Sequence, residues 1–333
     1  MRRALLIWLF LVLCALATFA LALAIGSSRV AMLDLVQLLF SSNDSLAGEI
    51  VIKLRLPRAL AAFATGGLLA LAGALMQILL RNPLADPYVL GLSGGAAVGA
   101  LGAMLAGLGA LAINLGAAGG ALAAILLVFA LARRDFARQQ MFGALDASPR
   151  LLLTGVVLAA GWGAIITVLL TMAPEAKLRG MLFWLMGDLN GAESWLPALL
   201  VLAATLAVIY PAARDLNVLL RGEALAHSLG VRVTRLRRTV YLVASVATAL
   251  AVTTAGTIGF VGLVVPHALR LALGNDQRVL LPACALAGGT LLLLADTAAR
   301  TVIAPQQLPV GVITALIGVP AFMFLLMRNP RKG

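Results

Sequence analysis

Apolar runs of about twenty residues recur from one end of this chain to the other. A helix needs roughly 20 such residues to cross the hydrocarbon of a bilayer. A water-soluble domain could not cover a composition that is 62% apolar and 11% charged over 333 residues. The chain therefore reads as an all-α, polytopic membrane protein. No polar tract is long enough to form a soluble domain of its own, so residues 1–333 read as one transmembrane domain.

Ten segments can be threaded through a membrane. They lie at about 4–26, 57–80, 88–107, 112–132, 151–173, 195–213, 239–257, 258–273, 279–301 and 310–327. The first has the basic start of a signal peptide, but its apolar stretch exceeds a normal signal core, and it reads as a span. The eighth is short, and Pro266 is expected to interrupt it. A mixed stretch, 174–194, contains the amphipathic LRGMLFWLMG. An even number of spans puts both termini on one side. With the N-terminus inside, 18 of the 25 Lys and Arg residues face the cytoplasm. That set includes Arg2, Arg3, a basic loop at 133–150, and the island RGEALAHSLGVRVTRLRR from Arg221 to Arg238. The net charge of +12 is thus a topology signal, and no nucleic-acid partner is expected.

Glycine spacing and broken helices point to transport. Gly95/Gly99 and Gly116/Gly120 have the GxxxG spacing that lets helix backbones approach closely. Two apolar stretches are broken. Asn82-Pro83-Leu-Ala-Asp86-Pro87 leads into Gly91-Leu-Ser93-Gly94-Gly95, and Gly256-Thr-Ile-Gly259-Phe-Val-Gly262 leads into Pro266-His267. Irregular backbone at membrane depth survives only where protein buries it or water lines it, and transporters build their pathways from such segments.

Catalytic and metal-binding patterns are missing from the sequence. It has no HExxH, no GxSxG and no GxxxxGK[ST], and its only lysines are Lys53, Lys177 and Lys332. Cys14 and Cys284 both fall in apolar runs, and His227 and His267 are far apart in sequence. The chain is not expected to be an enzyme, nor to bind a cofactor or metal. Acids in mid-membrane are scarce. Asp296 precedes Arg300 by one helical turn, which reads as a structural pair rather than a proton carrier. An energy source in another chain follows, although an ion-coupled secondary transporter of a small organic substrate is the alternative.

Four stretches together resemble the FecCD-type permeases of bacterial ABC importers, which carry cobalamin, ferric siderophores or haem. They are RLPRALAAFATGGLLALAGALMQILLRNPLADPYVLGLSGGAAVGA (55–100), GEALAHSLGV (222–231), GTIGFVGLVVPHALRL (256–271), and LLPACALAGG through ADTAARTVIAPQQLPVGVITALIGVPAF (280–322). The resemblance implies a type II ABC importer permease with ten transmembrane helices in the bacterial inner membrane. It also implies a homodimer, two ATP-binding subunits carrying ATP-Mg on the cytoplasmic side, and a periplasmic substrate-binding protein.

Site residues follow from the same resemblance. Gly222, Glu223, Ala224, Leu225, His227, Leu229 and Gly230 match the family's ATPase-coupling helices, within the segment 221–238. Physical chemistry agrees: Glu223 suits a helix start, Gly230 is placed to cap its end, and Ala224, Leu225 and Leu229 offer a small apolar face. Arg55, Arg58 and Arg300 match arginines that meet acids of the binding protein, which suits the bidentate reach of guanidinium toward carboxylate. Gln77, Ser93, Gly94, Leu153 and Met172 are expected to line the pathway.

Overall fold

The computed structural model describes residues 2–26, 46–142, 147–191 and 195–328, and among these every regular element is helical. In chain order the helices are α1 (Arg2–Ala24), α2 (Leu56–Leu79), α3 (Leu92–Leu105), α4 (Ala110–Phe142), α5 (Ala147–Thr171), α6 (Glu175–Leu185), α7 (Trp195–Ile209), α8 (Ala213–Leu219), α9 (Glu223–Ser228), α10 (Val233–Ala255), α11 (Val261–Leu273), α12 (Gln277–Thr301) and α13 (Val310–Arg328). Seven stretches are long and apolar enough to cross a membrane, and α3, α11 and the apolar part of α13 are shorter apolar helices. The backbone of α4 runs on to Phe142, past the expected end of the fourth span, so the basic stretch begins inside a helix. Residues 143–146 of that stretch lie outside the described residues.

Helix α2 is the axis of the bundle. Every residue from Ala64 to Leu79 is buried. Its composition explains why: alanine and glycine dominate, so neighbouring backbones close in on all sides. A Cβ on Gly66 would overlap the Gly288 carbonyl oxygen of α12. By contrast, only 6% of the most apolar window of α5 is buried, against 89% for the stretch containing α2. The two GxxxG spacings turn out to face each other. Gly95 meets Gly120 and Gly99 meets Gly116, the register of an antiparallel pair, and a Cβ at any of the four would strike the partner's backbone.

Pro266 does not interrupt its helix. Residues Val261–Leu273 form one continuous helix, and the break lies ahead of it at Gly256–Phe260. Proline removes the N–H that would have bonded the carbonyl four residues back, at Gly262. That carbonyl instead packs against Gly73 of α2, where only a glycine leaves room for it.

The two broken stretches meet. Asp86 caps the short 3-10 turn Pro87–Leu90 by accepting from the Tyr88 N–H at 2.8 Å. The Tyr88 hydroxyl in turn accepts from the Ile258 N–H at 3.0 Å. Thr257 donates through its hydroxyl to the Leu185 carbonyl, and Asp188 N–H donates to the Ala255 carbonyl at 2.9 Å. Freed backbone groups are thereby satisfied inside protein, as the membrane interior requires.

Candidate functional site

One end of the molecule presents α8, α9 and the start of α10. Helix α9 is only six residues long and is bracketed by Gly222 and Gly230 at φ +127° and +79°. Its C-terminus closes with the two bonds of a Schellman motif. Gly230 N–H donates to the His227 carbonyl at 3.0 Å, and Val231 N–H donates to the Ala226 carbonyl at 2.9 Å. Gly230 thus stands where the sequence places the cap. Ala226 is buried against the bundle, while Ala224, Leu225, His227, Ser228 and Leu229 are exposed. The element offers an apolar ridge, Leu225 and Leu229, in a basic setting of exposed Arg221, Arg232, Arg235 and Arg238. Glu223 does not join that exposed face: it is held by Arg81 and Arg237.

Nearby, Asp276 caps α12 by accepting from the Arg278 N–H at 3.1 Å. Hydrogen bonds from the Arg278 side chain and from Asn217 hold its carboxyl well below the usual range, at about 2. Asn217 also accepts from the Gln277 N–H at 2.8 Å, so α8 is tied to the start of α12.

The opposite end gathers the three arginines that the sequence singled out. They share one basin of about 320 Å³ with Lys53, Asn190 and Gln307. The pair read as intrahelical is a three-residue cluster. Asp296 is fully buried, and Arg300 Nε lies 3.1 Å from its Oδ2. Arg58 reaches it from α2, with Nε and a terminal nitrogen at 3.0 and 2.8 Å from Oδ1. Arg58 also donates to Asn190 and to Gln307. Arg55 is 5% exposed and donates to the carbonyls of Leu23 and Ala24 at 2.7 and 3.3 Å, capping the end of α1. One carboxylate against three guanidiniums leaves the basin strongly positive.

Of the five expected pathway residues, Ser93 and Gly94 are half-buried and Leu153 and Met172 are exposed. Ser93 and Gly94 line a cavity of about 340 Å³ with Tyr88, Leu185, Thr257 and Gly259, at the place where the two breaks meet. Leu153 on α5 and Met172 just past its end are 63% and 67% exposed. Gln77 is different. It is 2% exposed and donates from its amide to the Leu263 carbonyl at 3.3 Å, so it belongs to the packed core between α2 and α11. An amide inside an apolar helix needs a partner, and the broken stretch around α11 supplies one.

Sequence reasoning missed two groups at the ends. Arg81 and Arg237 gave no local signal for Glu223, because the first partner comes from 142 positions upstream. Asn190 and Gln307 lie in polar loops with no motif of their own. A second cavity at the end of the arginine basin, of about 540 Å³, was also unforeseen. It is lined by Arg179, Phe183, Trp184, Asp188, Asn190 and Gln306, among others.

A bundle of small-residue helices, with irregular backbone beside a cavity and charged clusters at each end, is the build of a polytopic membrane transport protein. The chain belongs to the FecCD transport family, whose model matches residues 13–328. It is 44% identical over 286 residues to the cobalamin import system permease protein BtuC of Halobacterium salinarum, covering 84% of this chain and 74% of that one. It is 40% identical over 291 residues to the vitamin B12 import system permease protein BtuC of Salmonella typhi, covering 86% of each. A solved structure described as an inward-facing conformation of a metal-chelate type ABC transporter superposes with a TM-score of 0.84 at 29% identity, over 97% of this chain and 99% of that one.

Proposed function

We propose that this chain is the inner-membrane permease of a binding-protein-dependent ABC importer for a corrinoid, with cobalamin the substrate to test first. The observation that carries the reading is the 44% identity to a cobalamin import permease across most of the chain, together with the α9 ridge turned outward on a basic face. All ten apolar helices cross the membrane and both termini face the cytoplasm, which puts α9 on the cytoplasmic side.

In this reading two copies form the working unit, and α5 and α13 carry exposed apolar side chains for a partner copy to cover, with lipid on the remaining surface. Ser93, Gly94, Leu153 and Met172 face the pathway. Among the described residues its walls are mostly apolar and hold no charged ligand set, which suits a bulky chelate that must be bound weakly and released. Ala224, Leu225, His227 and Leu229 seat in an ATP-binding subunit, with Gly222 and Gly230 setting the turns around them. ATP-Mg binds on that subunit, and this chain carries out no chemistry. On the outer face the basin of Arg55, Arg58 and Arg300 receives acidic side chains of the substrate-binding protein. Charges at such a rim govern encounter rate and orientation more than final affinity.

The 29% identity to a metal-chelate transporter keeps a ferric chelate or haem as the second reading of the substrate. Purification of the tagged chain from native membranes, followed by uptake in proteoliposomes, tests the proposal. An ATPase at about one copy per permease and ATP-dependent uptake of cobalamin are expected. Uptake driven by an ion gradient without any ATPase would overturn the importer and leave a secondary transporter. ATP-dependent uptake of haem or a ferric siderophore, with cobalamin excluded, would transfer the substrate to the second reading.

A further inference from the structure

A charged cluster lies behind α9. Glu223, the first residue of α9, accepts through Oε1 from an Arg237 terminal nitrogen at 2.7 Å, and an Arg81 terminal nitrogen lies 3.0 Å from the same oxygen. Arg81 stands just past the end of α2, at φ +50°. Arg237 sits near the start of α10 and is buried. One carboxylate therefore joins the end of the central helix, the exposed ridge and the next transmembrane helix.

We infer that Glu223, Arg81 and Arg237 form an ionic clamp that fixes α9 to the bundle axis, and that this clamp transmits force from a docked ATPase to α2. The second half of the inference rests on the importer reading above. The first half does not.

Three observations carry it. A six-residue helix cannot hold itself together in water, so its shape depends on what it is attached to. Glycine turns at both ends leave α9 free to swivel unless something pins it. Its only buried residue is Ala226, whose methyl group is a small anchor. The Glu223–Arg237 arm is the firmer of the two, because the Arg237 side chain is mostly shielded from water, whereas Arg81 and Glu223 each retain about a third of their exposure. Arg81 nevertheless decides the direction of the linkage, since it alone reaches back to α2. These three are positioning residues: Leu225 and Leu229 meet the partner, and the clamp keeps them in place.

Two readouts test this. The first uses the purified permease alone, cut with trypsin at the exposed Arg232 and Arg235. Glu223→Gln should speed cleavage there about tenfold, because local opening becomes easier, while cleavage elsewhere is unchanged. Equal cleavage rates in wild type and variant would overturn the clamp. The second readout is the number of substrate molecules moved per ATP hydrolysed, in proteoliposomes with the ATPase and binding protein. Glu223→Gln and Arg237→Gln should each lower it at least about fivefold while the ATPase stays bound. The double variant should be no worse than Glu223→Gln alone, since that change already removes both arms of the clamp. Arg237→Lys should recover part of the loss. Additive losses, or an unchanged ratio, would overturn force transmission through the clamp. A wild-type permease that retains no ATPase would sink the importer reading and the transmission role with it, whereas the trypsin result would still decide the clamp.

Discussion

Asp296 holds two guanidiniums, those of Arg58 and Arg300, and is itself fully buried. Removing its charge leaves two half-buried cations facing each other. Asp296→Asn should therefore destabilise the protein by about 3–5 kcal/mol, the cost of breaking a buried ion pair from one side. A detergent thermal-shift measurement checks this, and a shift within error of wild type would show that the arginines find other partners. Asp276 behaves differently because it is partly exposed. Its folded pKa of about 2 lies below the ordinary value near 3.8. Its contribution is therefore complete above about pH 4 and is lost as pH falls toward 2. Asp276→Ala should cost about 1 kcal/mol at neutral pH through the lost N-cap and should flatten the acid limb of the stability curve. Of these residues, only the Asp296–Arg300 half of the outer cluster was legible in the sequence, because a spacing of four on one helix is a local fact. Arg58 comes from 238 positions away, and no periodicity encodes that distance.

Helix α9 shows where local rules suffice. Gly230 ends it with a Schellman motif because its φ of +79° suits glycine and strains other residues. Gly230→Val should cost about 1–2 kcal/mol locally. In the importer reading, it should lower the yield of co-purified ATPase more than the melting temperature. Unchanged recovery of the ATPase would show that the ridge tolerates a distorted end. The pairing of α3 with α4 was half legible. Two GxxxG spacings announce close packing, but they do not say that each will choose the other. Pro266 misled for a physical reason: a proline can sit inside a helix where the packing makes room for the carbonyl it displaces. Gly73 on α2 gives that carbonyl a place, and Gly73 lies 193 residues upstream. Gln77 misled in the same way, since a polar residue in an apolar helix marks a pathway or a core hydrogen bond with equal strength.

At the scale of the whole molecule, the class of fold was legible because the bilayer demands long apolar helices and little else resembles them. The arrangement of those helices was not, because which face each one buries depends on partners from the whole chain. The polarity of the two ends gives the molecule a direction. If ATP drives it, an ionophore that collapses the proton gradient should leave vesicle uptake within about twofold, while orthovanadate should abolish it. Loss of uptake with the ionophore alone would point to ion coupling through a buried acid, with Asp296 the first suspect.

The seating of α2, with carbonyl oxygens of α11 and α12 against its glycines, has a further consequence for inheritance. A helix that meets its neighbours backbone to backbone is selected on volume, whereas a helix that meets lipid is selected on oiliness. In a library of all single substitutions, α2 from Ala64 to Leu79 should accept shrinkage and reject growth, so that Ala→Gly survives where Ala→Val fails. Along the exposed face of α5, leucine, valine and methionine should interchange freely. Two helices of similar overall apolarity would thus drift under different laws.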